Sequence, residues 1–351
     1  MFYDWSKILT YDCNVSIVIG ARGIGKTYGL RKFCIKNDFL KRGKKYIEIV
    51  RYKNQKTSFM SNYFGRLAID PDFDKYEFKI VGDKGYIREK SEDDRNKWIQ
   101  LMRCVALTEA QQLKTQTFEN VRRIIFDECV LDPRMKQFMK YLPDEVSILQ
   151  DVIDTISRET EETKNADKVR VMMLGNSLDA LNPYFCKWDL YKDLTPGIKV
   201  FNHGKCVLDY VPYNEQYANM KRDTVAFTFA EKNQSSMAAN NEFVQLKESE
   251  FIKQKSEKAK CRYNITDGQK TFSVWLDVLE DKLYICDREV AGLPVIALTL
   301  DAGNPNNIIA TRQNKIIKLM LNLLYANKIY YDSKATQIYI LRMLSRYAIL
   351  K

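Results

Sequence analysis

Residues 14–19 form a short apolar, β-branched run that passes straight into Gly20-Ala21-Arg22-Gly23-Ile24-Gly25-Lys26-Thr27. Apolar positions then recur at Leu30, Phe33, Cys34 and Leu40 until Lys41-Arg42-Gly43. The first pattern predicts a buried strand, and the second a helix over 28–42 that ends in cations and a glycine stop. A further strand is predicted over 45–51, and 78–81 with 86–88 read as a hairpin around Gly82-Asp83-Lys84-Gly85. Residues 98–107 are another apolar segment, and two buried strands follow, 123–126 ending in Asp127-Glu128 and 169–174 ending in Gly175-Asn176. Strands alternating with helical stretches predict an α/β fold with a parallel, doubly wound sheet.

From about residue 204 the periodicity loosens, and Gly204, Pro212 and the polar run 230–241 break up any long element. Beyond it, 271–278 and 282–287 predict a strand pair around Glu280-Asp281, 295–300 a third strand, and 314–326 and 335–350 two helices. The expected domains are therefore 1–203, a linker over 204–241, and a smaller α+β domain over 242–351.

At 351 residues, 45% apolar and 29% charged, the chain has the balance of an ordinary globular protein. Its longest apolar candidate, 316–326, carries Lys318 and is too short to cross a bilayer, so no membrane partner is expected. Residues 1–12 hold Asp4 and Asp12 and lack an apolar core, so they do not read as a signal peptide and the protein is expected to stay where it is made. His203 is the only histidine, which removes His-rich zinc sites and most triads; it reads as a loop residue beside Gly204. The eight cysteines include no CxxC pair and are expected to be reduced, mostly buried thiols. Of the formal +11 charge, +7 falls in 303–351, where eight basic residues face Asp332 alone. That end is expected either to meet a polyanion or to be a solvated helical face.

The stretch Gly20–Thr27 is a GxxxxGKT P-loop (Walker A) in its confirming context, between a strand and a helix. Its glycines let successive N–H groups wrap a phosphate, Lys26 reaches the β and γ oxygens of ATP, and Thr27 offers a hydroxyl to Mg²⁺. Asp127 is the expected second metal residue, and Glu128 the group that polarises the attacking water. The pair favours an ATPase motor over a kinase or GTPase. Asn176, at the tip of the next strand, reads as a polar sensor of the γ-phosphate or as a helix cap. Arg158 ends a helical segment and could reach a neighbouring subunit's nucleotide, or pair locally with Glu159, Glu161 or Glu162. Arg22 and Lys114 are further basic candidates. Tyr3, Trp5 and Tyr11 could stack on a base or belong to the core.

Taken together, Tyr11-Asp12, residues 18–27, Ile125-Phe126-Asp127-Glu128, Leu174-Gly175-Asn176-Ser177 and Asn182-Pro183-Tyr184-Phe185 closely resemble the DNA-packaging ATPases of phi29-like short-tailed phages, relatives of terminase large subunits. Residues 274–278 and 283–285 extend the resemblance more weakly. It implies an ASCE-type ATPase domain, a linker domain and an RNase H-like C-terminal domain that has lost cleavage. It also implies a homo-oligomeric ring, a pentamer, at the portal vertex of a prohead in the host cytoplasm and not in the mature virion. The implied partners are double-stranded DNA, the portal and a structural packaging RNA. Within that resemblance Arg158 is the finger acting in trans, and Lys114 lies near the subunit interface. The competing readings are a terminase with a working two-metal nuclease built on Asp277, Asp287 and Asp301, and a P-loop switch that does not translocate.

Overall fold

The computed structural model describes residues 3–90, 97–132, 139–162, 168–177, 182–188, 190, 194–211, 251–298, 307–311 and 314–345, except the side chains of 159–162, 325, 342 and 345. Two compact units are present, one of 1–187 with 194–243 and one of 188–193 with 244–351.

The first unit is built on β1 (Val15–Gly20), β2 (Lys45–Val50), β3 (Tyr76–Val81), β4 (Lys84–Glu89), β5 (Ile99–Ala106), β6 (Val121–Phe126), β7 (Arg170–Asn176), β8 (Gly197–Phe201) and β9 (Cys206–Tyr210). Their order in one sheet is β3-β4-β5-β2-β6-β7-β1-β9-β8. From β5 to β9 every pairing is parallel, and an antiparallel hairpin or strand closes each edge. The central strands are buried along nearly their whole length, polar Ser16 and Glu48 included, as expected of parallel strands with helices on both faces. On one face the Lys26–Phe33 and Trp5–Leu9 helices bury Leu30, Trp5 and Ile8. The Glu145–Glu162 helix buries Val146, Leu149, Val152 and Ile156 at helical spacing. Each such side chain contributes about 1.5–3 kcal/mol on burial.

Two features differ from expectation, the helix pitch and the extent of the sheet, and the strand order adds a third that the residue pattern does not state. The predicted 28–42 helix changes pitch: Lys26–Phe33 is α-helical, Cys34–Phe39 is a π-helical stretch, and Leu40–Arg42 is α again. The strand bearing Asp127 is not the neighbour of the P-loop strand, because β7 is inserted between β1 and β6. The sheet also continues past residue 203: β9 pairs with β1 in parallel, Val15 opposite Cys206, so part of the expected linker is core. Residues 212–241 of that linker lie outside the described ones.

In the second unit the strands are β10 (Lys260–Thr266), β11 (Thr271–Asp277), β12 (Lys282–Cys286), β13 (Val295–Ala297), β14 (Ile308–Ile309) and β15 (Ile329–Tyr331), in the order β14-β13-β10-β11-β12-β15. β10 to β12 form an antiparallel meander, flanked by parallel pairings of β13 with β10 and β15 with β12. With the Lys315–Tyr325 and Lys334–Ser345 helices, this is the mixed α+β unit that was expected. The central strand, β10, escapes the hydropathy pattern because it buries Asn264, whose amide is satisfied by the backbone of Val290 in both directions.

Candidate functional site

Gly23 and Gly25 take φ of +90° and +79°, which a side chain would oppose, and this curls the loop so that its N–H groups converge ahead of the Lys26–Phe33 helix. Lys26 is buried, with Nζ donating to the carbonyls of Gly20 (3.0 Å) and Ala21 (2.8 Å) and lying 3.4 Å from Asn176 Oδ1. These neutral acceptors hold the ammonium at the mouth of the loop, from which it can turn to a phosphate. Asn176 is directly opposite Gly20 in the β1–β7 register, so the polar tip of the inserted strand sits beside the loop.

Thr27 Oγ1 donates to Asp127 Oδ2 at 2.7 Å, across a sequence separation of 100 residues. A hydroxyl and a carboxylate brought together at the end of a P-loop are the oxygen ligands that Mg²⁺ requires. Asp127 Oδ1 also accepts the N–H of Glu128. Glu128 has φ of +53°, a left-handed backbone that costs a non-glycine residue about 1–3 kcal/mol and turns its side chain off the strand line. Its surface remains exposed, yet surrounding protein and then the Asp127 charge raise its pKa, while Arg22 and Arg51 pull it down. Exposed Arg22 thus contributes to the field at Glu128; Ile24 and Ala21 contribute loop backbone.

Arg51, just beyond β2, belongs to no sequence motif. It is 3% exposed, with Nε donating to Glu145 Oε2 at 2.7 Å, Nη2 to the carbonyl of Cys129 at 3.4 Å, and its guanidinium over the rings of Phe126 and Tyr141. Tyr184 of the Asn-Pro-Tyr-Phe motif donates to the other oxygen of Glu145 at 2.5 Å. A lone Arg at a strand end carries no local signal of this role.

Arg158 is exposed on the Glu145–Glu162 helix, 13 residues beyond Glu145 and so about 20 Å along its axis. Lys114 makes an exposed 3.7 Å contact with Asp151, seven residues and two turns before Arg158 on the same helix face. The side chains of Glu159, Glu161 and Glu162 lie outside the described ones. The N-terminal aromatics divide: Trp5 is buried and donates to the carbonyl of Lys26, Tyr3 donates to Asp209 at 2.6 Å, and Tyr11 is 46% exposed. Trp5 through its indole and Tyr3 through its N–H, which donates to the carbonyl of Ile24 at 2.8 Å, therefore brace the P-loop, and buried Trp5 is removed as a base platform.

His203 is an exposed loop residue between β8 and β9, and all eight cysteines are free thiols, seven of them buried. In the second unit, Asp277 and Asp287 fall at opposite ends of the β11–β12 hairpin, since Asp277 faces Lys282 and Ser273 faces Cys286. Five residues of strand separate them, about 16 Å, too far to share the paired metals of a nuclease, which lie about 3.5–4 Å apart. Asp277 instead caps the hairpin turn, accepting from the N–H groups of Leu279 and Glu280. Asp301 lies outside the described residues.

The basic end is only partly described: Lys315 and Lys318 are exposed on their helix, Lys328 pairs with Asp281, and Arg312, Arg346 and Lys351 lie outside. A feature that composition conceals appears on one face of the second sheet. Trp275 faces Tyr284 and Tyr284 faces Tyr330 in register, giving a row of three aromatics across β11, β12 and β15. Lys255 and Arg288 lie over Trp275, and Lys253 and Lys282 over Tyr330. Tyr284 in the middle is buried, while Trp275 and Tyr330 are half-buried; aromatic faces with flanking cations are the components from which nucleic-acid surfaces are made.

The profile of the family described as Podovirus DNA encapsidation protein (Gp16) matches residues 1–338. The DNA packaging protein of Bacillus phage phi29 is 30% identical over 313 residues, covering 89% of this chain and 86% of the relative. Among solved structures, the bacteriophage phi-29 viral genome packaging motor assembly aligns with a TM-score of 0.73 at 25% identity, covering 99% of each chain. The Phi-28 gp11 DNA packaging motor shares the fold at a TM-score of 0.63 and 16% identity, covering 100% of this chain and 98% of that one.

Proposed function

The chain belongs to the family of podovirus DNA encapsidation proteins, and from that premise we propose that it is the ATP-hydrolysing subunit of a ring motor that drives double-stranded viral DNA through the portal into a prohead. The observation that carries the reading is the 2.7 Å contact of Thr27 with Asp127 beside a left-handed Glu128, at the mouth of a P-loop.

Loop N–H groups and Lys26 bind the ATP phosphates and orient the γ-phosphoryl group for in-line attack. Thr27 and Asp127 would hold Mg²⁺, which would supply positive charge against the phosphate oxygens. Glu128 accepts a hydrogen bond from the attacking water, and its raised pKa brings it nearer neutrality, where a base is effective. Arg158, exposed on the Glu145–Glu162 helix, completes a neighbour's site. The second unit contacts nucleic acid, DNA or a packaging RNA, through its cation-flanked aromatic row.

Measuring ATP turnover with and without DNA and empty proheads tests the proposal. Motor function requires turnover that rises with both and DNA that becomes nuclease-protected inside proheads. Turnover indifferent to either would leave a nucleotide switch.

A further inference from the structure

A cavity of about 200 Å³ opens at the end of the first sheet remote from the P-loop, among the starts of β1, β6 and β7 and the end of the helical segment that follows the loop. Six charged side chains dominate its lining: Arg42, Arg122, Arg123, Arg170, Asp12 and Asp38. Among these described residues four guanidiniums meet two carboxylates, leaving two positive charges in excess.

The arrangement is built rather than incidental. Asp12 takes Arg170 in a two-pronged pair, 3.0 Å to Nε and 2.8 Å to Nη2, and stands 3.9 Å from Arg122 Nη2. Arg123 and Asp38, 6% and 2% exposed, form a second pair, with the Arg123 guanidinium 5.0 Å from the Phe33 ring centre. These pairs fix two buried guanidiniums in place, that of Arg170 by the exposed carboxylate of Asp12. Arg42 is exposed at the mouth, one turn beyond Asp38. Asp38 itself lies in the π-helical stretch Cys34–Phe39, and π turns are rare, occurring frequently at functional sites.

We propose that this cavity binds a phosphate-group anion, supplied either as free inorganic phosphate or by a nucleic-acid backbone. With Asp12 holding Arg170 and Asp38 holding Arg123, Arg42 and Arg122 carry the charge in excess of the two carboxylates, and a guanidinium fork matches the spacing of phosphate oxygens. The volume accommodates a phosphate group but falls short of the roughly 300–1,000 Å³ of pockets that enclose larger ligands. The site therefore takes the anion without an attached base. It is independent of the nucleotide loop, which lies at the opposite end of the same strands.

The test uses the full chain with its P-loop saturated by Mg-ADP, so that added phosphate reports on other sites. Binding of inorganic phosphate is followed by ³¹P NMR titration, and binding of a short DNA duplex by fluorescence anisotropy at several salt concentrations. The variants are Arg42→Glu, Arg42→Ser with Arg122→Ser, and a control of equal charge loss, Lys75→Ser with Lys90→Ser. Expected is at least a tenfold loss of phosphate affinity relative to the control. If the backbone is the ligand, duplex affinity falls as well, and the slope of log K against log salt becomes shallower by about 0.9 for each backbone phosphate that the variant no longer neutralises. Weakened phosphate binding with unchanged duplex binding assigns the site to the free ion. Arg42→Glu, at an exposed position, carries the test if the double variant fails to fold. Phosphate and duplex binding equal to the control in folded variants would overturn the proposal.

Discussion

Arg51 and Glu145 lie 94 residues apart and meet as a buried pair, Nε to Oε2 at 2.7 Å. The pair joins the end of β2 to the first turn of the helix that carries Arg158, and Arg51 also holds the backbone at Cys129, the residue after Glu128. One guanidinium thus ties the proposed water-activating residue to the base of the helix proposed to serve a neighbour.

Replacing Arg51 with alanine leaves Glu145 buried without its cation, a loss of about 3–5 kcal/mol for pairs of this kind. A lower unfolding midpoint and lower ATP turnover are expected together. Glu145→Gln, which keeps the shape and one hydrogen-bonding oxygen, should be milder in both. Calorimetry beside an ATPase assay checks this, and an Arg51→Ala protein as stable and active as wild type would refute it.

Lys26→Ala and Asp127→Ala should abolish turnover, whereas Glu128→Gln should retain nucleotide binding and lose about 10²–10⁴-fold in rate, the usual share of a general base. Equilibrium binding of a fluorescent ATP analogue separates the two classes. Wild-type turnover by Glu128→Gln would remove that residue from the mechanism.

Because burial and Asp127 raise the Glu128 pKa, its base form appears at a higher pH than for an ordinary glutamate. Turnover should therefore rise with pH through a higher value than for an ordinary glutamate, and Glu128→Gln should flatten that limb. The same shift has the opposite sign for stability: the folded state binds this proton more tightly than the unfolded one, so its stability falls as pH rises through the folded pKa. A rate limb unchanged by the substitution would point to another group.

If Arg158 acts in trans, a mixture of inactive Arg158→Ala and inactive Lys26→Ala subunits should recover activity at interfaces that combine an intact loop with an intact arginine. An arginine supplied in this way contributes about 10³–10⁵ in rate, so recovery would be readily measured. Mixed rings that form and stay silent would make Arg158 a structural residue.

On the full chain, Trp275→Ala with Lys255→Ala should weaken nucleic-acid binding by about 1–3 kcal/mol, the contribution of a stacked base, with the remaining affinity still steeply dependent on salt. Plasmid incubated with Mg²⁺ or Mn²⁺ should stay intact, given the separation of Asp277 from Asp287. Metal-dependent nicking that disappears in Asp277→Ala would restore the nuclease reading.

Local pattern was enough to locate the P-loop, the Asp127–Glu128 strand tip, β2, the β3–β4 and β11–β12 hairpins and both C-terminal helices. In each of these, burial on one face or a glycine at a turn writes a short-range signal in the order of residues. It did not reveal β10, whose buried Asn264 is satisfied by partners 26 residues away, or β9, whose place beside β1 depends on a parallel pairing between distant segments.

Residue order alone thus determined that a P-loop motif sits between a strand and a helix and that an acidic pair ends a buried strand, because both are properties of a few consecutive side chains. Tertiary structure decided which of those groups meet. The insertion of β7 between β1 and β6 sets the span that Thr27 and Asp127 bridge, Arg51 finds Glu145 only once the sheet is ordered, and the hairpin register holds Asp277 and Asp287 apart. Strand order and register are set by the packing of whole faces, a long-range free energy that no window of consecutive residues contains.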